Sequence, residues 1–224
     1  MYELLPYLLP APATGDVPRP GGSLKDQSAM ATYKKSEVAW FFSKEDPRWE
    51  FSNMAGEMPI FWPLERNEVN RWNSSEQLYQ ACKYGTAVEC IPAASPFAEP
   101  NVRKRIRSAT NARGSKMTQK CAMKAGLVRP DWDSSEEVRL KAMEWVLELK
   151  VYWNRVRFGE ALLRSGDQVI VEVSRKDRFW GCMEDGEGNL IGENKLGEIL
   201  MGIRARIPEI MRREFKYPEG FLPP

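Results

Sequence analysis

The amino-acid sequence predicts a single, mainly helical domain with a small β component. The chain has 224 residues, of which 42% are hydrophobic, and this is enough apolar material for one full-sized core. Two segments combine a helix-start signature with an apolar stripe at helical spacing, whereas one segment has the continuous β-branched pattern of a buried strand. These observations together favour packed helices, with strands as a minor part of the fold.

The first residues are expected to lie outside this domain. Residues 1–36 begin with several prolines and continue with a polar run, a composition typical of a flexible extension. The apolar start has Glu3 where a signal peptide has basic residues, and prolines interrupt it. No apolar run is long enough to span a bilayer. We therefore expect a cytoplasmic, intracellular protein without a membrane partner.

The first predicted helix runs from about residue 75 to residue 85. Ser74 and Gln77, three residues apart, form a capping box, in which each side chain binds a backbone N–H group at the helix start. The apolar stripe that follows at helical spacing consists of Leu78, Ala81, Cys82 and Gly85. A proline-containing stretch then separates this helix from the next helix-like segment.

A second helix-start signature, Ser134 with Glu137, precedes the longest amphipathic pattern in the chain. Its apolar stripe comprises Val138, Ala142, Trp145, Val146, Leu149, Trp153 and Val156. This stripe predicts a helix at the centre of the core.

The remaining elements complete the predicted domain. Residues 168–174 have the pattern of a strand, and a helix is expected from about residue 196 to residue 207. The domain is therefore expected to span residues 37–207, and residues 208–224 to form a basic tail.

The sequence contains no histidine. A Ser-His-Asp or Cys-His hydrolase, a His-ligated metal site and a histidine acid or base are therefore excluded. The four cysteines have no zinc-like spacing. We expect no metal and no cofactor, so any catalysis must come from carboxylate, Lys, Tyr, Cys or Arg side chains.

The charged residues are unevenly distributed along the chain. The formal net charge is only +2, which alone implies no polyanionic partner. Residues 101–130 nevertheless contain nine Lys or Arg residues and no acidic one. This segment is either a face for phosphate groups or an ordinary solvated face.

The polar residues of the first helix are candidates for chemistry. Glu76, Gln80 and Lys83 lie at i, i+4 and i+7 on one face, opposite the apolar stripe. Such a face is often just solvated. The aromatic residues Trp72 and Tyr79 flank it, however, and aromatic walls of this kind hold nucleobases. The segment is thus a candidate site for a nucleoside or nucleotide.

Two features near the predicted strand add to this candidate site. Asp177 follows the strand directly, at a point where a polar group can be aimed into a cleft or can simply start a turn. The Gly-rich loop 186–197 opens a helix, so its backbone N–H groups can either bind a phosphate or belong to a surface turn. The loop matches no dinucleotide-binding or P-loop pattern.

Several separated blocks of the sequence resemble characteristic blocks of the NADAR (YbiA-like) family, in the same order and spacing. These blocks are Phe41-Phe42-Ser43, Phe51–Met54, Trp72–Tyr84, Asp177–Gly181 and Gly192–Arg204. The resemblance covers about residues 40–207 and implies a mainly helical, compact YbiA-like domain. Compared with the family pattern, residues 86–100 look like an insertion.

The resemblance also implies an activity and a set of site residues. Members are N-glycosidases that cleave phosphoribosylamino-pyrimidines of early riboflavin synthesis or remove ADP-ribose from guanine in nucleic acid. Catalytic roles are implied for Glu76, Lys83 and Asp177. The substrate-binding positions expected with them are Phe42, Ser43, Asn53, Trp72, Tyr79, Gln80, Arg113, Trp180, Gly181 and Asn194.

The chain departs from the family pattern at two positions. Many members have His where this chain has Gln77, so that position cannot supply a base here. Many members also carry a Gly-Arg pair where this chain has Arg113-Gly114.

The mechanism expected for this site uses Lys83 as a nucleophile. A Lys83 amine with a pKa lowered by desolvation attacks the anomeric carbon and forms an imine, which water then resolves. Glu76 shuttles protons, Asp177 orients the ribose hydroxyls or helps to activate water, and Trp180 stacks on the base. Asn194 and the loop N–H groups bind phosphate. In the alternative mechanism, Lys83 only contacts phosphate or hydroxyl groups and a carboxylate activates water directly.

Three functions remain open at this point. The basic segment 101–130 favours removal of ADP-ribose from guanine, with ADP-ribosylated DNA or RNA as the partner. The second function is the riboflavin-intermediate glycosidase. The third is a non-catalytic ADP-ribose binding module, which would not need Glu76 and Lys83 together. The joint presence of these two residues favours an enzyme, and the sequence indicates no oligomeric state.

Overall fold

The computed structural model describes residues 30–42, 45–62, 66, 68, 71–84, 102–124, 126–129 and 131–214. Within this part of the chain, one large apolar cluster forms the core and a second, smaller cluster lies around Val171, Cys182 and Leu190. Helices supply most of the large cluster, so the predicted mainly helical domain is confirmed. No helix in the described ranges combines the length and the apolar character needed to cross a membrane.

The helices of the described residues follow one another along the chain. They are α1 Ser75–Ala81, α2 Val102–Ser108, α3 Ala112–Lys124, α4 Asp131–Ser134, α5 Glu136–Trp153, α6 Glu160–Arg164 and α7 Lys195–Ile210. A π-helical turn, Arg155–Gly159, joins α5 to α6.

The strands are short and form three small sheets. They are β1 Ala31–Lys34, β2 Ala39–Phe41, β3 Ile60–Phe61, β4 Arg71–Trp72, β5 Ile170–Glu172, β6 Cys182–Glu184 and β7 Asn189–Gly192. Strand β7 pairs antiparallel with both β1 and β6, β2 pairs parallel with β5, and β3 pairs antiparallel with β4. The predicted strand at 168–174 is thus confirmed in its central residues.

The boundary predicted for the N-terminal extension is wrong at its end. Strand β1 lies inside the segment 1–36, and its four residues pair with β7, from Ala31 opposite Gly192 to Lys34 opposite Asn189. The partner strand is far away in the sequence, so no local pattern could reveal this pairing. Residues 1–29, the stretch 86–100 and residues 215–224 lie outside the described residues, and the predictions made for them stay predictions.

Helix α1 begins where the capping signature predicts, with the Ser74 side chain accepting a hydrogen bond from the Gln77 N–H group. It ends at Ala81 rather than at residue 85, and turns follow up to Tyr84. The Gln77 side-chain oxygen accepts from the Asn73 N–H group at 2.7 Å, and its amide nitrogen donates to the Ala109 carbonyl at 2.7 Å. All residues of α1 are buried.

Helix α5 starts one residue later than predicted, because the capping side chain is Ser135, which accepts from the Val138 N–H group. The predicted stripe is buried at its centre, but it is too narrow, because the helix is buried on nearly every side from Ala142 to Val151. Val156 does not belong to the stripe: α5 ends at Trp153, and Val156 lies in the π-helical turn with its side chain exposed.

Lys150 is a buried cation in the second half of α5. Its ammonium donates to the Glu50 carbonyl at 2.7 Å and to the Ser52 carbonyl at 3.0 Å, and it lies 4.2 Å from the centre of the Phe158 ring. Burial lowers the pKa of Lys150 to about 7. Lys150 therefore ties the segment just before Asn53 to helix α5.

Asn194 joins β5 to α7. It has left-handed backbone geometry, with φ of 55°, at the start of α7. Its side chain donates to the Ile170 carbonyl at 2.8 Å and accepts from the Glu172 N–H group at 3.1 Å. The side chain is completely buried, so the phosphate-binding role expected for Asn194 is wrong and its role is structural.

We predict that Asn194→Ala lowers the free energy of unfolding by about 3 kcal/mol, because two buried backbone groups lose their partners and an alanine is forced into the left-handed region. Asn194→Gly removes the same hydrogen bonds without the left-handed penalty, so it should be about 1 kcal/mol less destabilised. Urea denaturation of the three proteins measures both differences. Equal midpoints for all three would contradict this account of the joint.

Candidate active site

A cleft of about 390 Å³ opens between α1, α3, α4, α5 and the end of β5. The side chains of Glu76, Lys83 and Asp177 all line it, although about a hundred residues separate the first two from the third. Asn53, Tyr79, Gln80 and Trp180, which the sequence also indicates, line the same cleft. The geometry therefore brings together the predicted catalytic residues and four of the predicted binding residues.

Glu76 is held inside this cleft by several contacts. Its side chain is only 5% exposed, and its carboxylate accepts from the Gln80 amide at 2.6 Å. The Lys116 ammonium lies 3.3 Å from the same oxygen. The solvated-face interpretation of α1 is therefore wrong, because a buried carboxylate needs such partners to stay charged.

Asn53 fixes the N-terminus of α1 beside the cleft. Its side-chain oxygen accepts from the Ser75 hydroxyl at 2.9 Å, and its carbonyl accepts from the Glu76 N–H group at 3.0 Å. Its amide contacts the Met143 sulfur of α5. Asn53 therefore positions Glu76 through the backbone as well as lining the cleft.

Lys83 lies in the turn after α1, and its ammonium faces two aromatic rings. The nitrogen is 5.6 Å from the Trp132 ring centre and 5.9 Å from the Tyr79 ring centre. The pKa of Lys83 is lowered to about 8. Burial is the main cause, the Lys116 charge acts in the same direction, and the Glu76 charge opposes them. About a tenth of Lys83 is therefore a neutral amine at pH 7, far more than for an ordinary lysine.

Asp177 both starts a turn and faces the cleft. One carboxylate oxygen accepts from the Phe179 and Trp180 N–H groups, at 2.9 and 3.0 Å. The Asp177 N–H group donates to the Ser174 hydroxyl at 3.1 Å. These bonds hold the carboxylate at the mouth of the cleft, so the turn and the site are parts of the same arrangement.

Aromatic rings form one wall of the cleft. The Tyr79 ring lies 5.4 Å from the Trp132 ring and 5.6 Å from the Trp180 ring, and the second contact is edge to face. Rings fixed in this way offer flat apolar surfaces beside the charged groups of Glu76 and Lys83. Such a surface suits a planar base.

The sequence profile of the NADAR domain matches residues 40–208 of this chain. The chain belongs to the NADAR family. Its fold is that of the E. coli protein YbiA, whose NMR structure superposes with a TM-score of 0.56 at 21% identity, over 81% of this chain and 92% of YbiA. The predicted YbiA-like domain is therefore confirmed.

Three relatives with assigned names share this NADAR region. The N-glycosidase Npun_R5314 of Nostoc punctiforme is 29% identical over 62% of this chain and 77% of its own length. The riboflavin biosynthesis protein PYRR, chloroplastic, of Zea mays is 28% identical over 92% of this chain and 30% of its own length. The riboflavin biosynthesis protein VVA0006 of Vibrio vulnificus is 30% identical over 62% of this chain and 31% of its own length. The chain thus corresponds to less than a third of each riboflavin protein.

Several predicted binding residues do not line the NADAR cleft. Trp72 is 1% exposed and packs in the core beneath the Arg107 guanidinium, because the β4 position that precedes α1 points inward. Gly181 is buried behind the cleft, against the backbone of Glu172. Arg113 is exposed on α3 and is absent from the cleft lining. These three residues therefore do not line the cleft, and the binding roles expected for them stay predictions.

Phe42 lies in a second groove of about 410 Å³, together with Trp40 and Arg175. This groove meets the NADAR cleft at Ser174, which lines both. The Phe42 side chain is 42% exposed, and the Arg175 guanidinium lies 5.3 Å from its ring. Ser43 lies outside the described residues, so its predicted role stays a prediction.

Among the cleft residues that escaped the sequence reasoning are Trp132, Lys116, Arg139 and Glu172. Glu172 is the most informative, because an acidic residue interrupts the apolar run of β5. The pKa of Glu172 is raised to about 8. Burial is the main cause, the nearby charges of Glu76 and Asp177 act in the same direction, and the Lys116 charge opposes them. An acidic residue within an otherwise apolar strand pattern was the signal in the sequence that could have indicated this cleft residue.

We predict that an amine-acylating reagent labels Lys83 with a pH midpoint near 8, because only the neutral amine reacts. Below this midpoint the labelling rate should fall about tenfold per pH unit. Peptide mass spectrometry across pH 6 to 10 measures the rate.

Two variants test the cause of this shift in opposite directions. Glu76→Gln removes a charge that stabilises the ammonium, so the midpoint should move to lower pH. Lys116→Ala removes a repelling charge, so the midpoint should move to higher pH. A midpoint that is the same in both variants would contradict the electrostatic description of the cleft.

Proposed function

We propose that this chain is an N-glycosidase that removes ADP-ribose from guanine bases. The observation that carries the proposal is the shared cleft of Lys83, Glu76 and Asp177 beside an aromatic wall. A low-pKa amine and a buried carboxylate side by side are the groups needed to break a C–N bond of a sugar without a metal ion. A module that only bound ADP-ribose would gain nothing from such an amine.

The reaction begins with the neutral Lys83 amine. It attacks the anomeric carbon, the bond to the base nitrogen breaks and the sugar ring opens, so that an imine joins Lys83 to the open-chain sugar. In the net reaction, the two protons that the amine loses balance the protons gained by the departing base and by the opened ring hydroxyl. Water then adds to the imine carbon and releases the free sugar and the amine. Glu76, ion-paired with Lys116, carries protons between these steps.

Asp177 and Trp180 orient the substrate in this proposal. The Asp177 carboxylate is held by backbone N–H groups, which leaves it able to accept hydrogen bonds from ribose hydroxyl groups. The Trp180 ring lines the cleft beside Tyr79 and offers its surface to the base. These contacts hold the anomeric carbon near Lys83.

The basic face supports a substrate carried on nucleic acid. Exposed residues of α2 and α3 include Lys104, Arg105, Arg113, Lys120 and Lys124. Lys116, on the same helix α3, extends into the cleft and contacts Glu76. A phosphate backbone bound along α3 would therefore lead directly to the reacting groups.

The second groove also favours ADP-ribose. Because Ser174 lines both openings, a ligand in the cleft can extend towards Trp40 and Phe42. ADP-ribose carries a second base and a pyrophosphate, and the aromatic rings and Arg175 have the chemistry to receive such a group.

The second candidate function is cleavage of phosphoribosylamino-pyrimidines of riboflavin synthesis. Two of the relatives are named riboflavin biosynthesis proteins, and both span the NADAR region. The two substrates share a ribose linked to a base nitrogen, so the same cleft suits either. Incubation with an ADP-ribosylated guanine oligonucleotide and, separately, with the phosphoribosylamino-pyrimidine decides between them. We expect faster release of sugar from the oligonucleotide.

We predict that Lys83→Arg abolishes turnover and largely retains ligand binding. Arginine keeps the positive charge but stays protonated near neutral pH, so it cannot act as an amine nucleophile. Borohydride added during turnover by the unsubstituted protein should reduce the imine and leave the sugar covalently attached to Lys83. Peptide mass spectrometry identifies the adduct, and calorimetry with ADP-ribose measures binding.

Lys104 provides the matched control for this experiment, because Lys104→Arg changes an exposed lysine outside the cleft and should leave turnover unchanged. Substantial activity in Lys83→Arg, together with no adduct, would rule out the imine. The mechanism would then be attack by a water molecule that a carboxylate activates.

We predict that Lys104→Glu with Arg105→Glu weakens binding to a modified oligonucleotide and flattens its salt dependence. Each lost phosphate contact should lower the slope of log affinity against log salt by about 1. Turnover of free ADP-ribosyl-guanosine should stay unchanged, since both residues are exposed on α2 and do not line the cleft. Equal losses on both substrates would instead assign this surface to the fold or the active site.

A further inference from the structure

The proposed reaction needs a proton donor as well as a nucleophile. When the C–N bond breaks, the electron pair stays on the base nitrogen, and the base leaves as a neutral molecule only if this nitrogen receives a proton. Two carboxylates of the cleft are poorly suited to give one. Glu76 is ion-paired with Lys116 and accepts from Gln80, and Asp177 accepts from two backbone N–H groups. Both carboxylates are thus already engaged as hydrogen-bond or ion-pair acceptors.

Glu172 has different surroundings. It is the last residue of β5, and its side chain lines the cleft opposite the face that packs Val171 against Cys182. Among the described residues, no hydrogen bond or ion pair to its carboxyl group is found. Glu172 is half-buried in the cleft, and a carboxyl group with reduced access to water and no such partner favours its neutral form.

The backbone of Glu172 is fixed from two sides. The Asn194 side chain accepts from its N–H group at 3.1 Å. Gly181 packs so closely on the other side that a Cβ atom there would lie 2.5 Å from the Glu172 carbonyl oxygen and 3.2 Å from its Cβ. The requirement for glycine at position 181 therefore concerns the placement of Glu172.

We propose that Glu172 is the catalytic acid that donates its proton to the departing base nitrogen. This inference rests on the proposed N-glycosidase function. As the C–N bond breaks, the Glu172 proton moves to the nitrogen and leaves a carboxylate. The carboxylate then accepts a proton from the water molecule that adds to the imine carbon, and this restores the acid for the next cycle. Lys83 loses two protons when the imine forms: Glu76 accepts one, and the oxygen of the opened ring takes the other. During hydrolysis the Lys83 nitrogen regains one proton from Glu76 and one from the water molecule.

The charges around Glu172 support this division of labour. Negative groups face it from α1 and from the loop after β5, namely Glu76 and Asp177, and Asp133 of α4 lines the same cleft. Positive groups face it from Lys83, Lys116 and Arg139. The Cys182 thiol lies behind it on β6. Burial is the largest influence and raises the Glu172 pKa to about 8, so the group is mainly protonated at neutral pH.

The pH dependence of turnover provides the first test. Lys83 must be neutral and Glu172 protonated, and both pKa values in the free protein are near 8, so kcat/KM against pH should form a narrow bell centred near pH 8. Glu172→Gln keeps the size of the side chain but cannot give a proton. Its turnover should fall by about 10²- to 10⁴-fold, and the decrease on the alkaline side of the bell should disappear. A decrease on the alkaline side that persists in Glu172→Gln would overturn the proposal.

The leaving group provides the second test, and a purely structural role for Glu172 would not affect it. With a substrate whose base nitrogen carries an electron-withdrawing ring, the base departs with little need for a proton. The ratio of turnover between the unsubstituted protein and Glu172→Gln should then shrink towards 1. A ratio that stays the same for good and poor leaving groups would overturn the proposal. Glu187→Gln, an exposed change outside the cleft, is the control and should behave like the unsubstituted protein.

A third measurement uses the unsubstituted protein and so does not depend on the folding of a variant. The ¹³C NMR signal of the Glu172 carboxyl, assigned in protein with labelled glutamate, should titrate near pH 8. Titration near the ordinary range of a glutamate would overturn the proposal. Failure of the unsubstituted protein to cleave either substrate class would instead overturn the proposed function, so the two failures are distinguishable.

Discussion

The complete burial of α1 is the constraint from which the rest of the structure follows. A buried helix that carries Ser75, Glu76, Gln77 and Gln80 must find a partner for each polar group inside the protein. Ser75 bonds to Asn53, Gln77 bonds to the turn between α2 and α3, and Glu76 contacts Lys116 of α3. The polar side chains of α1 therefore act as fixed points for three surrounding segments. Two of these segments, at Asn53 and on α3, line the cleft.

The same burial creates the chemistry of the cleft. Removal from water disfavours a charge of either sign, so it lowers the pKa of Lys83 and raises that of Glu172 until both are near 8. In water these two groups would form an ammonium and a carboxylate. In the cleft, a neutral amine and a neutral acid are both accessible near neutral pH. Groups whose environments shift their pKa values in this way are typical of acid–base sites.

The sequence predicted those parts of the fold that depend on local patterns. The cap at Ser74, the central turns of α5 and the centre of β5 all follow from residues close together in the chain. The grouping of Glu76, Lys83 and Asp177 in one cleft was also predictable, but the resemblance to the family carried more of that prediction than the helical spacing did.

Other features depend on contacts that no local pattern contains. Strand β1 forms because it pairs with β7, which is about 160 residues away in the sequence. Asn194 looked like a ligand-binding residue because it precedes a helix, but its side chain is used by β5. Glu172 looked like part of a strand, and only the packing shows that its side of the strand faces the cleft.

The parallel pairing of β2 with β5 has a consequence for the order of events during folding. It joins residues 39–41 to residues 170–172, so a long loop must close before the end of β5 is in place. A partly synthesised chain therefore contains Lys83 but lacks β5 and Trp180, which line the cleft with it. In such a chain Lys83 lacks part of the burial that lowers its pKa, so the full shift arises only after the later segments have packed.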